Sequence, residues 1–225
     1  NLNSSMIQVY TKSVEMLFRY APSDTRVHAL KVIESFDREH ISIAGRVIEK
    51  IGSALWPDLV EFLSVAKTRR MVFEMVKCLR TIADSIRSSG NTWLINPATA
   101  STINNWIYNE LEAVYKDAVQ LYNILTREKR IDCTFIEDAV RENIIRFCEW
   151  AVSAMVLLDK RGVLIWKHND IDIRERTQRL DLVEIIESTS YQKIGSLVLP
   201  LLKDETWETL AKIGKNQYHF NDRDL

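Results

Sequence analysis

Val72-Phe73-Glu74-Met75-Val76-Lys77-Cys78-Leu79-Arg80-Thr81-Ile82-Ala83-Asp84-Ser85-Ile86 is the stretch that decides the fold class. Val72, Met75, Val76, Leu79, Ile82, Ala83 and Ile86 step by threes and fours without a break. That period keeps apolar side chains on one stripe of a helix with 3.6 residues per turn. Gly90 terminates the run, and Ser88 to Pro97 reads as a loop.

The same period extends toward the N-terminus. Pro57 sits at the first turn of a short helix through Leu63, where its missing N–H costs nothing, and Ser53 to Trp56 is a connector. Asp37 opens a helix with Ile41, Ala44, Val47, Ile48 and Ile51 inward and Gly52 as its stop. Ser23 and Asp24 cap another carrying Val27, Leu30, Ile33 and Phe36. Ile7, Tyr10, Val14, Leu17 and Phe18 share a face of the first helix, which ends before Pro22.

Toward the C-terminus, Ile103, Ile107, Leu111, Val114, Ala118, Leu121, Tyr122 and Leu125 line a long helix. Thr134 and Glu137 have the spacing of a capping box, followed by Ile144, Phe147, Cys148, Ala151, Met155 and Leu158 up to Gly162. Val163–Trp166 and Ile171–Ile173 form either a small hairpin around His168 and Asn169 or an irregular linker carrying Trp166 into the core. Leu180, Val183, Ile186 and Glu187 are helical again, as are Ile194, Leu197, Val198 and Leu201. A last short helix around Trp207 and Leu210 ends near Gly214, and Gln217–Leu225 is polar and frayed. The expectation is an all-α protein, a single irregular bundle of about ten helices. It forms one interaction domain over residues 1–215 with a flexible tail at 216–225. No repeat of fixed period argues for a solenoid.

Composition agrees. Six Gly and 4 Pro in 225 residues are too few for the turns of an all-β or α/β chain. Thirty basic and 31 acidic residues leave a net charge of −1, without the basic excess that a nucleic-acid backbone selects. Cys78, Cys133 and Cys148 have neither disulfide nor metal-knuckle spacing and suit a reducing compartment, cytosol or nucleus. No apolar run approaches the roughly 18 residues of a membrane span. The first residue is Asn rather than Met, as expected of a chain that has lost N-terminal residues.

Catalytic signatures are missing from the sequence: it has no G-x-G-x-x-G, no G-x-x-x-x-G-K, no G-x-S-x-G and no D-D-x-x-D. The densest acidic group, Asp132, Glu137, Asp138 and Glu142, suits the positive end of a helix. His28 and His40 lie near first turns of predicted helices, either as plain surface residues or as single ligands to a metal held mainly by something else. His168 is in a polar loop and His219 in the tail. No two histidines have the i, i+4 spacing of a helical zinc pair, so no intrinsic cofactor is expected.

Lys67-Thr68-Arg69-Arg70, Arg127 with Lys129-Arg130, and Arg174, Arg176 and Arg179 are either solvated helix ends or binders of phosphate or acidic peptide. Trp56, Trp93, Trp106, Trp150, Trp166 and Trp207 either finish the core or line grooves. Tyr10, Val14, Leu17, Phe18, Val27 and Leu30 make a broad apolar surface that a dimer contact or a docked partner helix would cover.

About ten helices, long central antiparallel pairs and no catalytic motif resemble the TRF-homology class of telomere proteins. The run Met6-Ile7-Gln8-Val9-Tyr10 through Arg19-Tyr20-Ala21-Pro22, with the overall length, is similar to the shelterin bridge subunits of the fission-yeast type. This resemblance implies a nuclear, homodimeric adaptor at the telomere of the chromosome. It would hold one peptide from a double-strand-binding arm and another from a single-strand-binding arm. It also implies a zinc ion shared with a partner peptide and taking one histidine from the bridge, with His28 and His40 as candidates. The competing class is a helical nucleic-acid-binding protein, such as a viral nucleoprotein, using the Lys/Arg clusters.

Overall fold

Among the described residues every regular element is an α-helix and no strand occurs. The structure, a computed structural model, describes Val9, Lys12, Ser13, Met16, Arg19 and Tyr20. It then describes residues 56–65, 69–88, 95–127, 132–159, 173–188 and 192–220. Seven helices are bounded: α1 (Trp56–Val65), α2 (Arg69–Ser88), α3 (Pro97–Arg127), α4 (Thr134–Leu158), α5 (Arg176–Ser188), α6 (Gln192–Leu202) and α7 (Trp207–Tyr218). The predicted helices at 23–36 and 37–52 lie outside the described residues. Two compact units, Asn1–Thr102 and Ile103–Leu225, divide the chain.

In the first unit α1 packs against α2. Leu59 and Leu63, one turn apart, are fully buried, as is the Val72-to-Ala83 stripe of α2. Burying one such leucine contributes about 1.5–3 kcal/mol, so this stripe holds the pair together. Pro97 proves to be the first residue of α3 rather than the end of a loop. Asn96 caps it, the Thr99 N–H donating to Asn96 Oδ1 at 2.8 Å, which satisfies a backbone donor the helix leaves free.

In the second unit α6 packs against both α4 and α5. The expected α3 and α4 stripes are buried from Ile103 to Leu121 and from Ile144 to Leu158. From Trp150 to Leu158, α4 is buried on every face; a helix apolar all round is a core helix. Trp150 is therefore core rather than groove lining. Tyr115, fully buried on α3, donates its hydroxyl to the Leu197 carbonyl of α6 at 2.8 Å. Pro200 lies within α6 and lacks an N–H, so the helical ladder is broken at the Ser196 carbonyl, one turn back. The phenol bond to the neighbouring Leu197 carbonyl ties α3 to α6 beside that break.

Three details differ from the sequence expectation. Thr134 and Glu137 form no capping box: Cys133 is the N-cap without a side-chain bond. Asp132 Oδ1 accepts instead from the Thr134 N–H at 3.0 Å and its hydroxyl at 2.6 Å. Leu180 and Glu187 face solvent, and α5 buries Leu182, Val183, Ile185 and Ile186 instead. Ile173, at the end of the stretch read as either strand or linker, is buried in a turn. Gly214 does not stop α7, which continues to Tyr218 and ends on His219 in the left-handed region at φ 56°. Gly214 is instead a contact point, because a Cβ there would lie 3.0 Å from Val119 Cγ2 and 3.2 Å from Tyr115 Cβ. Glycine lets α7 lie directly on α3.

All three cysteines are buried and outside any disulfide, and burial pushes the Cys148 thiol up well above its ordinary range, against the opposing charge of Arg179. Among the described residues no helix is long and apolar enough to cross a membrane.

Candidate interaction surface

The residues expected to form the partner surface, Tyr10, Val14, Leu17, Phe18, Val27 and Leu30, and both candidate zinc ligands, His28 and His40, lie outside the described residues. What the structure does describe is a second face of the same N-terminal segment. Val9, Lys12, Ser13, Met16, Arg19 and Tyr20 are all helical. Val9, Met16 and Tyr20 are 65%, 61% and 83% exposed. At about 100° per residue, Val9, Ser13, Met16 and Tyr20 fall within roughly 60° of one another. Their 4-3-4 spacing is that of a coiled-coil seam. The Ser13 hydroxyl is turned back to its own helix, donating to the Val9 carbonyl at 2.8 Å. Thus the one polar member of the seam is already satisfied and does not oppose apolar contact.

Lys12 and Arg19, one heptad apart, flank this seam on one side and are exposed. Among the described residues neither has a carboxylate partner. The seam is thus apolar along its crest and cationic along one edge. In the sequence Ser13 interrupts this stripe, and the adjoining face with Tyr10, Val14, Leu17 and Phe18 is more continuously apolar. The signal was the spacing of residues 9, 13, 16 and 20.

A second feature is a shallow cleft in the second unit, walled by α4, α5, α6 and the start of α7. Ile144, Cys148, Ile173, Leu201 and Leu210 make its floor, and Arg141, Arg179, Asp204 and Trp207 its rim. The rim is knit together. The Trp207 indole donates to Glu137 Oε2 at 3.2 Å, and the Arg141 guanidinium lies 5.3 Å from the centre of that ring while pairing with Asp204. Asp204 itself occupies the left-handed region at φ 56°, ending α6 where glycine is usual. The space left holds about one water molecule, far less than a small-molecule site needs. Packing explains this cleft better than ligand binding does.

The other sequence candidates are dispersed. Glu142 pairs with Arg146 at 3.1 Å and Arg174 at 2.9 Å; the Arg146 hydrogen bond chiefly holds its carboxyl below the usual range. Thr134 does the same for Asp132. The acidic group is therefore mostly occupied, and among the described residues no three His, Cys, Asp or Glu side chains converge as metal ligands. Arg174 is engaged by Glu142 and by Glu149, the latter at 3.9 Å, and Arg127 and Arg176 are separate exposed residues. Lys67, Lys129, Arg130, Trp93, Trp166 and His168 lie outside the described residues. Trp56, Trp106 and Trp207 are half-buried, and His219 is exposed.

Exposed Phe135 and Ile136 open α4, and exposed Ile124 lies near the end of α3. The Asn143–Asp117 hydrogen bond of 3.0 Å sets these two helices side by side. These apolar residues span about one turn, with none of the continuity of the N-terminal seam. Leu180 stands alone among exposed Thr177, Asp181 and Glu184, as single surface apolar residues commonly do. No family model, curated protein or solved structure matches the chain.

Proposed function

We propose that the chain is a non-enzymatic helical adaptor that homodimerises and bridges segments of partner proteins. In the role that the resemblance to TRF-homology proteins implies, it links double-strand- and single-strand-binding arms at telomeres in the nucleus. The observation that supports this reading is the exposed seam of Val9, Met16 and Tyr20. Three large apolar side chains within about three turns of one helix face are costly to leave in water, and another polypeptide would cover them. The dimer contact belongs to Tyr10, Val14, Leu17, Phe18, Val27 and Leu30. A zinc ion shared with a partner peptide would take His28 or His40.

Sedimentation velocity at micromolar concentration tests the proposal. The chain should run as a dimer, and Leu17→Arg or Phe18→Arg should give a monomer with an unchanged helical signal. A wild-type monomer would overturn the dimer. Global unfolding of both variants would make these side chains ordinary core. Nucleic-acid binding that falls steeply with salt would instead favour the competing class, because released counterions drive such binding.

A further inference from the structure

We infer that the partner seated on the N-terminal seam is an amphipathic helix with acidic side chains along one flank. This rests on the adaptor reading and adds the partner's chemistry to it. In coiled-coil terms Val9 and Met16 occupy one core position and Ser13 and Tyr20 the other. Lys12 and Arg19 then fall at the flanking position that forms ion pairs across a helix interface. Both are exposed, and among the described residues no carboxylate meets either one.

Three occupants compete for the seam. A second copy lying antiparallel would put the Lys12/Arg19 flank against itself, cation to cation. A parallel copy would bring Leu17 opposite Lys12 and supply no acid there. An acidic-flanked helix satisfies both the crest and the edge. The seam covers 12 residues, roughly 16 Å at 1.5 Å per residue, so the partner segment is about three turns long. An interface this short belongs to the weak, transient class, which corresponds to micromolar affinity.

The test is selection from a displayed library of helices with leucine fixed at the four seam positions and the flanks randomised among Glu, Gln and Lys. The baits are the full chain, its K12E/R19E variant and a Met16→Glu control. Glu should be enriched on the wild type and Lys on K12E/R19E. A synthetic Glu-flanked winner should lose about tenfold in affinity on K12E/R19E and weaken as salt screens the pairs. Enrichment that Met16→Glu abolishes but that shows no charge preference would overturn the acidic partner and leave the adaptor reading standing. Enrichment no greater than on the Met16→Glu control would remove the seam as a docking face. Sedimentation of the chain with vesicles containing anionic lipid, without helix enrichment, would assign the seam to a membrane surface instead.

Discussion

Replacing Gly214 with alanine should destabilise the protein, although glycine is a poor helix residue. Alanine in a helix interior is favoured over glycine by about 1 kcal/mol, so propensity alone predicts a gain. The added Cβ, however, would lie 3.0 Å from Val119 Cγ2, 3.2 Å from Tyr115 Cβ and 3.3 Å from the Tyr115 carbonyl oxygen. Two of those atoms are tied to the α3 backbone and cannot swing aside, so α3 and α7 must separate. Overpacking of this kind costs about 1–3 kcal/mol and also strains the Tyr115–Leu197 bond. A net loss of up to about 2 kcal/mol follows, lowering Tm by up to roughly 8 °C for a chain of this size. Gly195 is the control, because its Cβ would meet only the Ile186 Cγ2 methyl, at 3.2 Å. That methyl can give by a few tenths of an ångström, so Gly195→Ala should be neutral or stabilising by up to about 1 kcal/mol. Thermal and denaturant unfolding of both variants measures the difference. Equal or greater stability of Gly214→Ala would refute the contact reading.

Tyr115→Phe removes the buried donor to Leu197 and should cost about 1–2 kcal/mol in denaturant unfolding. Coupling with Pro200→Ala in a double-mutant cycle would show that the phenol supports the interrupted helix; strict additivity would deny it. The Tyr218 hydroxyl is buried without a hydrogen-bond partner, so Tyr218→Phe should be neutral or raise stability by up to about 1 kcal/mol at pH 8. Burial, with Glu112 adding to it, pushes this phenol up to about 12, against about 10 when unfolded. A raised folded value gives stability fully present below pH 10 and lost as pH rises through 12. Between those values the wild type should therefore lose stability relative to Tyr218→Phe, and parallel melting curves would contradict that assignment. Asp204→Gly relieves a left-handed residue worth about 1 kcal/mol but deletes an exposed ion pair worth less than about 1 kcal/mol. It should melt within 2 °C of wild type, and a large loss would mean that the Arg141–Asp204 pair dominates.

The helices themselves were legible from sequence because their cause is local. The stripe from Val72 to Ala83 and that from Ile144 to Leu158 lie buried where the period put them. What escaped depends on residues distant in the chain. Gly214 reads as a stop until Tyr115 is placed beneath it. Glu137 reads as half of a capping box until Trp207, 70 residues away, claims its carboxylate. Leu180 fits a helical period equally well on the wrong face, since neighbouring Leu182, Val183, Ile185 and Ile186 offer a richer one. The candidate surface shows the same limit. One apolar face of the N-terminal segment was visible as a continuous stripe. The Val9/Ser13/Met16/Tyr20 seam, broken by a serine, becomes evident only when the exposure of these residues and of Lys12 and Arg19 is known.

Hydroxyl-radical labelling of Met16 and Tyr20 tests the central claim, that this seam serves to receive another polypeptide. In the purified chain both should label heavily, in keeping with their exposure of 61% and 83%. In a native extract of the cells that make the protein, both should be protected several-fold while Leu180 labels as before. Undiminished labelling of Met16 and Tyr20 in the extract, or equal protection of Leu180, would contradict it.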